Sequence, residues 1–192
     1  TSTDPDPYHE PLLDVSRITR GKIELKIESV DVEQVIQEAI ETSRPGIDAQ
    51  RHTLSLQLPN VPLQVRGDYA RVAQILSNLL NNAAKYTPRG GRVSLSATNE
   101  DGEAVFRIRD SGVGIPQEFL SSIFDPFTQV DRSLARSHGG LGIGLTLVRR
   151  LVEMQNGSVT VRSEGRNRGS EFTVRLPVAP ASDFAKAADT TA

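Results

Sequence analysis

The stretch from Asp68 to Thr87 constrains this chain more than any other. Val72, Ile75, Leu76, Leu79, Leu80 and Ala83 recur at three- and four-residue intervals, the period of a helix that buries one face. Asp68 is suited to cap its first turn and Pro88 marks its end. Away from the apolar stripe, Gln74, Asn78, Asn82 and Lys85 follow one another at helical spacing, with Tyr86 closing the row. Asn costs more in a helix interior than Glu, Lys or Gln, because its amide competes for nearby backbone groups. Asn78, Asn81 and Asn82 fall within five residues, and breaks of a local rule concentrate at functional sites. A neutral amide oxygen suits a hard divalent cation that keeps most of its waters and shares substrate phosphates. Lys85, one turn on, is placed to neutralise such phosphates. Taken alone, the row is equally well read as a solvated polar face.

The chain's 192 residues allow one domain of ordinary size plus tails. With 37% hydrophobic and 24% charged residues it can build a core under a polar surface. Its 22 basic and 24 acidic residues leave a net charge of −2, so neither nucleic acid nor an anionic membrane is an expected partner. The absence of Cys excludes a disulfide framework, a thiol nucleophile and thiolate metal sites. No apolar run reaches membrane-spanning length and no signal peptide opens the chain. A cytoplasmic location is expected, in a parent that a membrane anchor could hold. The chain begins with Thr1 and its only Met is Met154, so an excised or processed piece of a longer protein is expected.

Residues 1–11 carry Pro5, Pro7 and Pro11 beside Asp4, Asp6 and Glu10 and read as a disordered or extended leader. Residues 12–21 hold a short helical pattern, Leu12, Leu13, Val15 and Ile18, stopped by Gly21. Residues 22–177 form the expected domain. Within it Lys22 to Val30 alternates as a strand, and Asp31 with Gln34 resembles a capping box that opens a helix buried through Val32, Val35, Ile36 and Ala39. Residues 44–51 read as a loop around Pro45-Gly46. His52 to Leu58 and Leu63 to Arg66 read as strands. Arg92 to Thr98 and Glu103 to Asp110 read as a hairpin turning through Asp101-Gly102. A short helix is expected from Pro116, and a longer one over Leu141 to Gln155 with Gly157 capping it. A last hairpin joins Ser158–Ser163 to Ser170–Leu176, before a small, polar, Ala-rich tail over 178–192. Hairpin-paired strands with a few helices imply an α+β fold: a two-layer α/β sandwich with a mixed, mostly antiparallel sheet and helices on one face.

Asp110 ends a strand whose apolar face is Ala104, Phe106 and Ile108, and the two-residue period turns it to the same inward face. A carboxylate there needs a donor. The exocyclic amine of a ligand would serve, and Gly112 and Gly114 would let backbone approach a flat ring; for Asp-Ser-Gly alone an ordinary turn is the simpler reading. His138-Gly-Gly-Leu-Gly-Ile-Gly144 is a glycine-rich run leading into a helix N-terminus, a site suited to a phosphate chain. It is no P-loop, because no Gly-Lys-Ser/Thr follows.

These three elements, in this order, resemble the N, G1 and G2 boxes of the ATP-binding domain shared by sensor histidine kinases, gyrase-type topoisomerases, Hsp90 chaperones and MutL repair proteins. Asn78 to Tyr86 resembles the histidine-kinase form, Phe124-Asp-Pro-Phe127 its F box, and Gly169-Ser170-Glu-Phe172 its last glycine box; Leu12 to Ile18 resembles the end of the second dimerisation helix. The resemblance covers roughly residues 12 to 177. It implies a Bergerat-type fold that binds ATP and Mg²⁺. Asn82 and Asn78 would hold the metal, Lys85 would meet phosphate, Tyr86 would line the adenine side and Asp110 would bond the adenine amine. Gly112 and Gly114 would admit the base, Gly140, Gly142 and Gly144 would close a lid, and Arg132 and Arg136 would reach the γ-phosphate. Phe124, Phe127 and Ser170 join the expected nucleotide-site residues through their boxes.

The same resemblance implies a two-component phosphorelay: γ-phosphoryl transfer to a histidine on the parent's own dimerisation domain, with a response regulator or fused receiver domain downstream. His9, His52 and His138 do not match the phosphoacceptor box, so this chain is expected to bind ATP without phosphorylating itself, and to be a monomer. An anti-sigma-type serine kinase and a non-catalytic nucleotide-responsive interaction module share the fold and are the alternatives. Gln74 and Asn78 stand where a water-activating Glu would be needed, so hydrolysis should be poor.

Overall fold

The computed structural model describes residues 24–128 and 142–180. The leader, residues 12–21, Gly140, Arg132, Arg136, His9 and His138 lie outside the described residues. The elements in chain order are β1 (Glu28–Asp31), α1 (Val32–Ala49), β2 (Thr53–Gln57), β3 (Gln64–Gly67), α2 (Tyr69–Tyr86), β4 (Arg92–Glu100), β5 (Glu103–Asp110), α3 (Gln117–Leu120), α4 (Gly144–Glu153), β6 (Ser158–Arg162) and β7 (Ser170–Pro177).

The main sheet has five strands in the order β2-β4-β5-β7-β6. Only β2 and β4 run parallel, and the other pairs are antiparallel. Alternation along β4, β5 and β7 turns Val93, Leu95, Ala97, Ala104, Phe106, Ile108, Phe172, Val174 and Leu176 into one buried face. The helices cover that face. α2 packs against both α1 and α4, and touches β4 and β5 beneath it, while its Val72, Ile75, Leu76, Leu79 and Leu80 are fully buried. The result is the expected α+β two-layer sandwich. β1 and β3 pair antiparallel as a separate two-stranded sheet.

Local chemistry explains most boundaries. Asp31 caps α1 by accepting from Gln34 N, and Asp68 caps α2 by accepting from Arg71 N. Asp101 and Gly102 both take positive φ, 53° and 82°, as a two-residue turn between twisted strands requires.

Four expectations need correction. Residues 24–27 are not strand; the N–H of Lys26 instead donates to Asp68 Oδ2 at 2.9 Å, so a helix cap takes the group a ladder would use. Residues 44–49 are helix, not loop: α1 continues through Pro45 because Ser43 and Ile47 remain buried, and that burial outweighs the backbone bond Pro45 cannot make. α4 starts at Gly144 and is followed by Asn156 at φ 58°; the left-handed residue is this Asn rather than Gly157. Gly157 is required for another reason, since a Cβ there would meet the Arg175 carbonyl oxygen at 2.3 Å. Finally, Val178 and Ala179 belong with the domain rather than the tail, their N–H groups bonding Gly102 O and Gln64 O at 3.0 and 2.9 Å.

Candidate functional site

The C-terminal half of α2, the end of β5 and the β6–β7 connection meet at one end of the sandwich. Tyr86 O accepts from Val113 N at 3.0 Å, Gly112 O from Gly169 N at 3.1 Å and Val113 O from Asn167 N at 2.7 Å. These bonds hold the segment after Asp110 between the last turn of α2 and the loop before β7.

Asn78, Asn82 and Lys85 are half-buried and Tyr86 is exposed. Spacings of four and three residues put Asn78, Asn82 and Lys85 on one side of α2. Neither Asn78 nor Asn82 hydrogen-bonds through its amide to another described residue, and Lys85 has no carboxylate partner among them. The Lys85 ammonium instead lies 5.1 Å from the Tyr86 ring centroid. The row therefore offers uncommitted amide oxygens and one cation.

Asp110 is buried, and both its oxygens are committed: Oδ1 accepts from Gly112 N at 2.8 Å, and Oδ2 from the Ser170 hydroxyl at 2.5 Å. Ser170 thus orients this carboxylate from the neighbouring strand. Each oxygen keeps a further lone pair for a ligand donor. Gly112 and Gly114 are required by the protein's own backbone. A Cβ on Gly112 would meet Tyr86 O at 2.3 Å, and one on Gly114, at φ 68°, would meet Gly165 O at 2.0 Å.

Phe124 and Phe127 separate. Phe124 is buried and packs edge-on against Phe172, ring centroids 6.2 Å apart, so its ring is part of the core. Phe127 is 73% exposed at φ 62°, and its N–H donates to Gly142 O at 3.1 Å. Gly142, at φ 69°, lies against this backbone, and a Cβ there would approach Phe127 Cα to 3.1 Å. Gly144 is the first residue of α4, with open space where its Cβ would stand.

Three residues that the sequence pattern did not place at this site shape it. Ser163 Oγ accepts from Ile115 N at 2.9 Å and donates to Gly169 O at 2.7 Å, which joins both loops. Thr87, directly after Tyr86, has a buried hydroxyl with no partner among the described residues. His52, read as the opening of a strand, is buried with Nε2 on Ala84 O at 2.9 Å, and so anchors the last turn of α2. No local pattern marks Ser163 or His52, because each bonds across the fold.

A family profile described as "Histidine kinase-, DNA gyrase B-, and HSP90-like ATPase" matches residues 67–180. Among curated proteins, the circadian input-output histidine kinase CikA of Thermosynechococcus vestitus is 38% identical over 170 residues, covering 86% of this chain and 23% of that protein. Hybrid signal transduction histidine kinase D of Dictyostelium discoideum is 35% identical over 200 residues, covering 87% and 13%. The chain thus spans less than a quarter of the length of these relatives. Among solved structures, the mycobacterial sensor histidine kinase MprB superposes with a TM-score of 0.69 at 29% identity, covering 80% of this chain and 99% of that one. Full-length ShkA, solved in complex with AMPPNP, superposes with a TM-score of 0.77 at 29% identity, covering 90% and 35%. Among the described residues no helix is long and apolar enough to cross a membrane.

Proposed function

Because the chain belongs to the histidine kinase-, DNA gyrase B- and HSP90-like ATPase family, with the Bergerat-type two-layer fold, we propose that it is the ATP-binding catalytic domain of a two-component sensor histidine kinase. One observation carries this reading: the uncommitted Asn78, Asn82 and Lys85 side chains stand on α2, whose last turn is bonded to the loop that follows the buried Asp110 carboxylate. A base at Asp110 and phosphates along α2 would then be served by one rigid framework.

Asp110 accepts the adenine amine, held for that purpose by Ser170 and Gly112 N. Tyr86 lines the base, with Gly112 and Gly114 beside it, and Lys85 meets phosphate. Asn82 and Asn78 fit Mg²⁺ as neutral oxygen ligands; the described residues contain no cluster of three His, Cys, Asp or Glu, so the ion would share its remaining positions with phosphate oxygens and water. When bound, the ion neutralises charge on the transferring phosphoryl group. The chain's own share is positioning. Phe127 N bonds Gly142 O, and the lid role expected of Gly140, Gly142 and Gly144, with Arg132 and Arg136 toward the γ-phosphate, falls largely on residues outside the described ones. The phosphoryl acceptor is a histidine on a dimerisation domain of the parent, of whose second helix residues 12–21 resemble only the end, and a response regulator or receiver domain follows. His52 is excluded as acceptor by its burial and its bond to Ala84 O.

Calorimetric titration with ATP, with and without Mg²⁺ and against GTP, tests the proposal. Saturable binding that needs Mg²⁺, fails with GTP and disappears in Asn82→Ala is the expected result. Unchanged titrations for Asn82→Ala would remove α2 from the site.

A further inference from the structure

The open face of the main sheet treats its arginines in two different ways. Near the β4–β5 turn they are paired: Arg107 meets Glu100 at 2.8 Å, and Arg175 reaches Glu100 at 3.3 Å and Glu103 at 3.4 Å. At the other end, where β5 reaches Asp110, the exposed side chains of Arg92, Arg109 and Arg168 make no ion pair or hydrogen bond among the described residues. These three line a cleft of about 690 Å³, together with Ser55, Ser94 and Asn167. The strand register sets Ser55 opposite Ser94 and Ser94 opposite Arg109, so two hydroxyls and a guanidinium form one row across three strands.

The acidic members of the lining do not neutralise this cluster. Asp110, hydrogen-bonded to Gly112 N and the Ser170 hydroxyl, and Glu164 set two negative charges against three arginines, so the lining keeps one net positive charge. Glu171 faces Arg109 across the β5–β7 ladder without closing an ion pair.

We propose that this cleft is a binding site for a small polyanion, a ligand presenting two or more phosphate or carboxylate groups. Guanidinium forks pair both kinds of oxyanion bidentately, and the serine hydroxyls and Asn167 supply further polar contacts. The row lies on the outward face of the sheet, away from α2, and the cleft shares only Asp110 and the backbone of Asn167 with the candidate nucleotide site. The proposal therefore goes beyond the ATP reading and does not depend on it.

The test is a titration of the protein, free of Mg²⁺, with inorganic pyrophosphate and separately with citrate, followed by heat and by the arginine Nε–Hε resonances. Saturable binding is expected with at least one probe, and the tighter probe identifies the phosphate or the carboxylate class. The doubly substituted Arg92→Ala, Arg109→Ala protein should lose about 100-fold in affinity, about tenfold for each charge-assisted contact, with an unchanged thermal midpoint because both side chains are exposed. Asn82→Ala should bind the probe as the parent chain does. The proposal is overturned if neither probe saturates, if binding survives the double substitution, or if it is lost in Asn82→Ala, which would assign the anion to α2 instead.

Discussion

Replacing Asp110 by Asn and by Ala separates what its carboxylate does for the fold from its proposed role toward a nucleotide. The residue is 8% exposed and accepts two hydrogen bonds, from Gly112 N and the Ser170 hydroxyl. Alanine deletes both acceptors and strands a backbone N–H and a hydroxyl. At about 1–3 kcal/mol for each buried group left unsatisfied, the expected loss is about 2–6 kcal/mol, a large part of a typical domain's stability. Asparagine keeps an oxygen for Gly112 N, and the Ser170 hydroxyl can rotate to accept from the new amide. Both bonds persist in neutral form, so the loss should be about 1–2 kcal/mol. The ligand has no such remedy: its amine meets an amide instead of a carboxylate oriented toward it, and ATP affinity should fall about 10- to 100-fold. Urea unfolding at constant m-value reads the first effect, and calorimetry with Mg·ATP the second. Equal destabilisation by Asn and Ala would refute the hydrogen-bond reasoning, and parental ATP affinity in Asp110→Asn would refute the role at adenine.

Two stability predictions stand beside it. Gln155 is 2% exposed, accepts from Asp68 N at 2.8 Å and donates to Leu151 O at 2.9 Å; Gln155→Leu fills the space but strands the Asp68 N–H, and should cost about 1–3 kcal/mol in urea unfolding, with a change under about 0.5 kcal/mol counting against it. Hydrogen bonds from Arg107, then from Thr98, hold the Glu100 carboxyl below its ordinary 4.5. A carboxyl lowered in the folded state stabilises it above the unfolded value and loses that contribution as pH falls through the folded one. Glu100→Gln should therefore lower the unfolding midpoint modestly at neutral pH and not at all in strong acid; a difference that persists in acid would point to packing instead.

Legibility in the sequence followed the range of the interaction. The buried and polar sides of α2, its Asp68 cap and the Asp101-Gly102 turn depend on neighbours within a few positions, so spacing and residue type were enough. The passage of α1 through Pro45 was not legible, because it depends on Ser43 and Ile47 being buried by elements much further along the chain. The packing of Phe124 was not legible either, because the ring it meets, Phe172, lies far along the chain on β7. The candidate site divides in the same way. Its residue types stood out locally, but the reason Gly112 and Gly114 are glycine is a backbone from elsewhere, Tyr86 O in one case and Gly165 O in the other. Ser163 could not be found at all, since it acts on Ile115 from 48 residues away.

The ladder between β5 and β7 also sets an order of assembly. β4 and β5 are joined by a two-residue turn and can zip together in microseconds, whereas Ser170 lies 60 residues from the Asp110 it must meet and arrives only after a far costlier loop closure. During synthesis, nearly the whole domain has left the ribosome before that carboxylate finds its hydroxyl partner. On the proposed role of Asp110, competence to hold a base is thus a late event in the life of the chain. In stopped-flow refolding the recovery of nucleotide binding should lag the burial of the β4–β5 hairpin; simultaneous recovery would mean that the distant strand docks in the first step.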